Sequence, residues 1–181
     1  MTKVFDAIII GGGASGLVLC ERLNKAGLSA IVLEAGERVG KKLLATGNGK
    51  CNLTNLDMDG KYYNSSFTES IINRYDTQTV IKYFEDLGLK TRETEGRIYP
   101  YSESAGDVLN VLRSHTEAFC RCGEKVETIK KIGDTFEVNG LNGKAVIIAT
   151  GSNATTGYSS YHLAEKFSHT AIAPLPSLVG L

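Results

Sequence analysis

A short apolar strand that runs straight into three glycines restricts the fold of this chain more than any other feature. Val4-Phe-Asp-Ala-Ile-Ile-Ile10 leads into Gly11-Gly-Gly13-Ala14-Ser15-Gly16, a Gly-x-Gly-x-x-Gly turn placed to open a helix. A second apolar strand, Ala30–Leu33, closes on the acidic Glu34, about 20 residues beyond the turn, as a βαβ dinucleotide fingerprint requires. Each part has a physical job. Gly11 makes the tight turn, Gly13 lets a pyrophosphate approach the backbone, and Gly16 lets the helix pack close to the strands. The pyrophosphate then lies at the helix N-terminus, where unpaired N–H groups and the macrodipole favour an anion. Glu34 is placed to accept hydrogen bonds from ribose hydroxyls. A glycine triplet alone is a weak signal; strand, helix and acid together supply its context.

The remaining sequence sets an α/β order around that turn. A helix is expected over Ala14–Ala26, with Leu17, Leu23 and Val18 or Cys20 on its apolar face and Gly27 as its stop. The segment from Gly36 to Asn55 is glycine- and lysine-rich, too polar and broken for a core element, and reads as a structured loop with room for one short helix. Ser66 and Glu69 have the spacing of a capping box. Val80, Ile81, Phe84 and Leu87 recur at helical spacing up to Gly88. Ser104 and Asp107 are placed to cap a further helix, whose face is Val108, Val111, Leu112, His115 and Phe119.

Beyond Phe119 the character becomes β. Strands are expected near Val126–Ile132 and Thr135–Val138, with tight turns at Asn139-Gly140 and Asn142-Gly143. Ala145-Val-Ile-Ile-Ala149 is apolar throughout, the pattern of a strand buried on both faces of a parallel sheet, and it ends at Thr150-Gly151. A last short helix is expected over Ser159–Phe167 and an extended tail over Ile172–Leu181. The order predicts one α/β domain, Rossmann-like, whose C-terminal sheet edge gathers Gly11, Glu34 and Gly151. That edge is where open α/β sheets bind ligands.

A chain of 181 residues is long enough for one such domain with a substantial core. Twenty basic residues balance twenty acidic ones, so the charge points to neither a nucleic-acid partner nor a membrane surface. The apolar run near the N-terminus is far shorter than the ~20 residues that span a bilayer, and it lacks a signal-peptide cleavage site. Cys20, Cys51, Cys120 and Cys122 have neither zinc spacing nor a C-x-x-C pair. No metal site is expected, and a reducing, cytoplasmic setting fits. Cys120 and Cys122 alternate around Arg121 as strand residues do. His115 reads as a half-buried, hydrogen-bonded residue of a helix stripe. His162 and His169 are spaced too widely for a metal pair on a helix.

Residue physics at the glycine loop admits FAD or NAD alike. The further segments carry a resemblance. Leu33-Glu-Ala-Gly36, the long element Gly40-Lys41-Lys42-Leu-Leu-Ala-Thr-Gly-Asn48-Gly49-Lys-Cys51-Asn52-Leu-Thr-Asn55 and Gly96-Arg-Ile-Tyr-Pro100 are similar to motifs of the BaiN/RdsA, or aminoacetone-oxidase-like, family of NAD(P)/FAD-dependent oxidoreductases. That family has the glutathione-reductase-type FAD fold, a parallel sheet with helices and a small β-meander. The resemblance covers nearly the whole chain. It implies that Gly11, Gly13, Ala14, Ser15 and Gly16 hold the FAD pyrophosphate and that Glu34 binds the adenosine ribose. It places Lys41 and Lys42 beside the adenosine and phosphates. Asn48, Gly49, Cys51 and Asn52 would run toward the flavin, Val126 would meet the adenine, and Thr150 and Gly151 would close over the cofactor. Lys50 stands where the family usually has arginine, Ser168 where it usually has glycine, and the stretch after Gly151 departs from the family's turn.

Family members are roughly twice as long, so residues 1–181 are expected to be an FAD-binding domain, incomplete at its C-terminus, with a C-terminal half of the same enzyme as a partner and FAD held more weakly than in a full-length relative. The implied activity is hydride or electron transfer between a small organic substrate and an acceptor through FAD, with NAD(P)H as a donor in the full enzyme. The competing readings are an NAD(P)-binding dehydrogenase and a non-catalytic nucleotide-binding module. The first has no Tyr-x-x-x-Lys pair here and leaves the middle loop without a use. No catalytic acid or base is assigned, since flavin chemistry resides in the cofactor. Cys51 is read as a packed loop residue in preference to a redox thiol, although neighbouring lysines would lower its pKa. Tyr62, Tyr63, Tyr99 and Tyr101 are placed either to line a substrate entrance or to pack.

Overall fold

The computed structural model describes residues 3–63, 66–152 and 160–172. Val4–Ile10 form β1, Ala14–Lys25 form α1 and Ala30–Glu34 form β2. A kinked pair of tight helical turns spans Leu43–Gly49. Then follow β3 (Thr54–Asn55), α2 (Phe67–Arg74), α3 (Thr77–Asp86), β4 (Thr91–Thr94), β5 (Arg97–Pro100) and α4 (Ala105–Thr116). The last third contains β6 (Cys120–Cys122), β7 (Lys130–Ile132), β8 (Thr135–Val138), β9 (Leu141–Ile148) and α5 (Tyr161–Glu165).

The main sheet has the order β6-β2-β1-β9-β8-β7. Its first four strands are parallel, with Ile10 beside Leu33 on one side and Ile148 on the other. The antiparallel β7-β8-β9 meander completes it. The pleat of β1 divides the core. Ala7 and Ile9 pack with Cys20 and Val32, while Ile8 and Ile10 pack with Leu33, Val126, Val138 and Leu163. A third cluster joins Leu17 to Phe84, Val108, Leu109 and Leu112. It ties α1 to α3 and α4. A small antiparallel sheet, β3-β5-β4, stands apart.

Most expected elements form, and the differences have local causes. Asn139-Gly140 is the β8–β9 turn, both residues at positive φ (49° and 76°). Asn142-Gly143 is not a turn: it lies inside β9, opposite Glu137 and Phe136. A Cβ on Gly143 would come within 2.8 Å of Ile8, so this glycine serves close packing. The strand expected over Val126–Ile132 shrinks to β7, because Val126 and Ile129 turn into the core instead of pairing. Ser66 makes no side-chain cap: its backbone is already helical (φ −64°, ψ −17°), which turns its hydroxyl away from the N–H groups it would cap. Asp76 does cap, its Oδ1 accepting from Thr79 N at 2.8 Å.

The run from Ala145 to Ala149 is exposed to half-buried, not buried on both faces. There β9 pairs with β1, whereas β8 reaches only Leu141–Gly143. His115 is exposed, with Nε2 3.4 Å from Leu87 O. Ser168 adopts φ 65°, a conformation natural to the glycine that the resemblance leads one to expect. The tail beyond Ile172, Ser159 and most of the stretch after Gly151 lie outside the described residues.

A polar knot holds the opposite end of the parallel strands. Asp6 Oδ2 accepts from Ser29 N and Oγ at 2.9 and 2.8 Å, and Oδ1 accepts from Lys144 Nζ at 2.7 Å. Lys144 above all, and then Ser29, hold the Asp6 carboxyl far below the usual carboxylate range. The unfolded chain therefore binds this proton more readily, with a pKa near ~3.9. The stabilisation is present above that pH and is lost as pH falls through it toward the folded value. Asp6→Asn is expected to lower Tm at neutral pH, with the gap to wild type closing below about pH 4. Thermal melts across that range measure it, and a gap independent of pH would refute it.

Candidate functional site

The C-terminal ends of β1, β2 and β9 meet at the glycine turn. Gly11 N donates to Leu33 O at 2.8 Å, and Ala149 N donates to Ile10 O at 2.8 Å. Gly11 has φ 107°, and a Cβ there would lie 2.7 Å from Ala149 O. Both its conformation and its space require glycine. A Cβ on Gly16 would stand 2.0 Å from Gly11 O, so the helix sits against the turn only because that atom is absent. Gly13 differs: nothing lies within 4 Å of where its Cβ would be. It is the N-cap of α1 without a side-chain cap, and the first turn holds no acidic residue. The leading amides of α1 thus open onto free space that suits an anion.

Glu34 organises this edge. Its Oε2 accepts from Gly12 N at 2.6 Å and its Oε1 from Gly36 N at 2.8 Å. The glycine turn and the loop after β2 are therefore joined through one carboxylate, which keeps further lone pairs for a ligand. Gly40 N donates to Gly12 O at 2.7 Å, bringing the lysine-rich loop alongside. Lys42 crosses to the end of β9, its Nζ donating to Ser152 O at 2.9 Å.

Two clefts flank the turn. The first, about 500 Å³, is lined by Gly11, Gly13, Glu34, Lys41, Lys42, Val126 and Thr150 among others. Arg38 and Lys125 also line it. Both lie one to three residues from predicted positions, and their charge was the signal available. The second cleft, about 650 Å³, is lined by Ala14, Ser15, Cys51, Asn52 and Gly151, with Val18, Phe84 and Leu112 as apolar walls. Gly13, Lys42, Ala149 and Thr150 line both. The two spaces therefore meet at the uncapped helix N-terminus.

The loop over Gly47–Cys51 divides the expected flavin-side residues. Gly47, Asn48, Gly49 and Cys51 all have positive φ, between 54° and 83°. The chain doubles back so that Cys51 N donates to Thr46 O at 3.0 Å. The base of this turn, Thr46 and Cys51, faces the second cleft, and its tip points away. Asn48 lines a separate cavity and Gly49 is exposed, so neither reaches the cleft with Cys51 and Asn52. Gly16 is buried beneath the turn and acts by packing. Cys51 is buried, and burial pushes its thiol pKa up, with the Thr46 hydroxyl opposing only in part. Lysines do not lower it, as a redox thiolate would need. All four cysteines are free thiols. Burial also raises Cys20 and Cys120, to about 12 and about 11. Among the described residues no group of three or more His, Cys, Asp or Glu could hold a metal ion. No helix among them is long and apolar enough to cross a membrane.

Comparison with known proteins bears on the family and the fold. The family model described as the HI0933-like protein Rossmann domain matches residues 5–175. The chain is 34% identical over 189 residues to the 3-dehydro-bile acid delta(4,6)-reductase of Clostridium scindens, covering 96% of this chain and 46% of that protein. It is 30% identical over 198 residues to the ribosomal RNA dihydrouridine synthase of Haemophilus influenzae, covering 99% of this chain and 49% of that one. The chain thus spans about half the length of these relatives. The solved structure of THI4 from Thermovibrio ammonificans shares the fold, with a TM-score of 0.61 at 18% identity, covering 91% of this chain and 62% of that one.

The two glycines predict opposite mutant behaviour. Gly13→Val is expected to melt close to wild type yet lose binding of ADP and FAD, because the new side chain enters only the open space. Gly16→Ala is expected to lose at least about 1–3 kcal/mol of stability, the range for forced overpacking. Denaturant melts with nucleotide titration separate the two, and undiminished ADP binding in folded Gly13→Val would displace the ligand from this turn.

Proposed function

The chain belongs to the HI0933-like family, and from that premise we propose that it is the FAD-binding domain of an FAD-dependent oxidoreductase, residues 1–181 supplying the dinucleotide site. One observation carries the reading: two clefts of nucleotide size meet at a neck formed by Gly13, Lys42, Ala149 and Thr150. A dinucleotide has that shape, two ring systems joined by a pyrophosphate. The neck offers free helix amides and a lysine where the diphosphate belongs.

In this reading Gly13, Ala14 and Ser15 hold the pyrophosphate with Lys42. Glu34 accepts from the adenosine ribose, and Val126 packs on the adenine. Arg38 and Lys41 neutralise charge at the mouth of the first cleft. Thr150 and Gly151 border the neck, and Cys51 and Asn52 flank the flavin half. When bound, FAD supplies hydride and electron transfer at the flavin. The protein's part is to grip the diphosphate and sugar, orient the ring along the second cleft and exclude water with Val18, Phe84 and Leu112.

The relatives are named for a bile acid and for ribosomal RNA, so the family includes small-molecule and nucleic-acid substrates. Charge balance therefore does not decide between them for this chain. A small organic substrate, NAD(P)H as donor, a C-terminal half of the same enzyme as partner and a cytoplasmic setting belong to the same proposal. An NAD(P)-binding dehydrogenase leaves the second cleft and the Gly40–Asn55 loop without a role.

The absorption spectrum of freshly purified protein, with mass spectrometry of what heat releases, tests the cofactor directly. FAD is expected to raise Tm more than NADH does, and a larger shift with NADH would overturn the choice. Glu34→Ala is expected to weaken FAD by about 1–3 kcal/mol, roughly five- to 150-fold. Unchanged affinity would move the ribose elsewhere.

A further inference from the structure

The Gly96-Arg-Ile-Tyr-Pro100 element takes no part in the two clefts, yet it forms one wall of a third cavity beside them. In the small sheet, Thr94 lies opposite Arg97 and Arg92 opposite Tyr99. These four side chains share one face. The other face is closed by Ile98 and Pro100, both buried. Thr94, Arg97 and Tyr99 face Asn48, Lys50 and Asn52 across a space of about 540 Å³.

The charges around this cavity are unequally paired. Glu103 is shared by two cations, with Lys50 Nζ at 2.6 Å and Arg92 Nη1 at 3.6 Å. Glu95, at the exposed hairpin tip, also borders the cavity. Two cations (Lys50, Arg97) and two carboxylates (Glu95, Glu103) line the cavity itself, with Arg92 beyond the lining on Glu103. Arg97 is exposed and makes no ion pair among the described residues. An unpaired guanidinium and two carboxamides therefore line one space. A structural role accounts poorly for them, because Arg97 holds no other element in place.

We infer that this cavity is a subsite for an oxyanion of the substrate, a carboxylate or a phosphate, with Arg97 as the anchoring fork and Asn48 and Asn52 as further donors. Arginine suits the task because its planar donors meet such oxygens two at a time. Asn52 lines both this cavity and the second cleft. An anion held here leaves the rest of its molecule reaching toward that cleft. The subsite rests on the reading of the second cleft as the flavin side, since otherwise the anchored molecule has nothing to react with.

The test titrates the full chain, with and without FAD, with inorganic phosphate and separately with benzoate at constant ionic strength. The side-chain amide signals of Asn48 and Asn52 report binding, and FAD affinity is measured on the same samples. Saturable binding is expected in wild type, weakened at least about tenfold in Arg97→Gln, with FAD affinity unchanged. Arg97→Lys is expected to lose benzoate more than phosphate, because it keeps a point charge and loses the fork. A preference for phosphate in wild type points to a nucleotide-type substrate, and one for benzoate to a carboxylic acid. Absent saturation, or equal binding in Arg97→Gln, overturns the subsite. Anion binding that depends on Arg97 in a chain that takes no FAD would overturn the flavin reading and with it the substrate role, leaving an anion site alone.

Discussion

The ligand-facing edge depends on how closely α1 approaches the end of β1. The position of a Cβ on Gly16 is 2.0 Å from Gly11 O, well inside any tolerable contact. Only a helix without that atom can start where this one does. Its start fixes where the leading amides point, and Leu17, the next residue, anchors the helix in the cluster with Phe84, Val108 and Leu112. One missing methyl therefore connects the packing of three helices to the electrostatics of the neck between the clefts.

Polar ties complete what packing begins. Glu34 bonds Gly12 and Gly36 through separate oxygens, and Lys42 reaches Ser152 across the end of β9. Groups suited to a ribose and a phosphate thus also hold the loops that form their own site. Such pre-organisation means that a ligand meets donors and acceptors already in position, and less ordering entropy is lost on binding. It also means that changes at Glu34 act on loop geometry as well as on ligand contact.

The Gly47–Cys51 turn shows how local strain sets functional geometry. Asn48 and Cys51 adopt positive φ (54° and 58°) without being glycine, a conformation that asparagine tolerates and cysteine does not favour. Burial of Cys51 and the hydrogen bond its N–H donates to Thr46 O hold it there. The strained base stays against the second cleft, while Asn48 and Lys50 at the tip turn toward the charged face of β4 and β5. One loop thereby borders two different chemical environments, one largely apolar and one ionic, with Asn52 between them.

Much of this was legible in the chain itself. The strand–glycine–helix unit, the acid at the end of β2, the helix over Thr77–Asp86 and the Asn139-Gly140 turn follow from short-range rules of periodicity and turn chemistry. Their causes lie within a few residues of one another. Three-dimensional contact decided the rest. Asn142-Gly143 carries the same turn signal as Asn139-Gly140, yet it is a strand because it pairs with β1 on one side and β8 on the other, with Ile8 packed against the bare Gly143. Asn48 and Asn52 belong to one motif but face different spaces, and Arg97 gains its meaning from Lys50 and Glu103, which lie far from it or across a turn. Sequence by itself determined the kind of fold and the edge at which a dinucleotide can sit, because backbone conformation and helix amides are local properties. Tertiary structure alone decided which charges pair, which stay unpaired and which loop residues face the cleft, because those depend on where distant strands place their side chains.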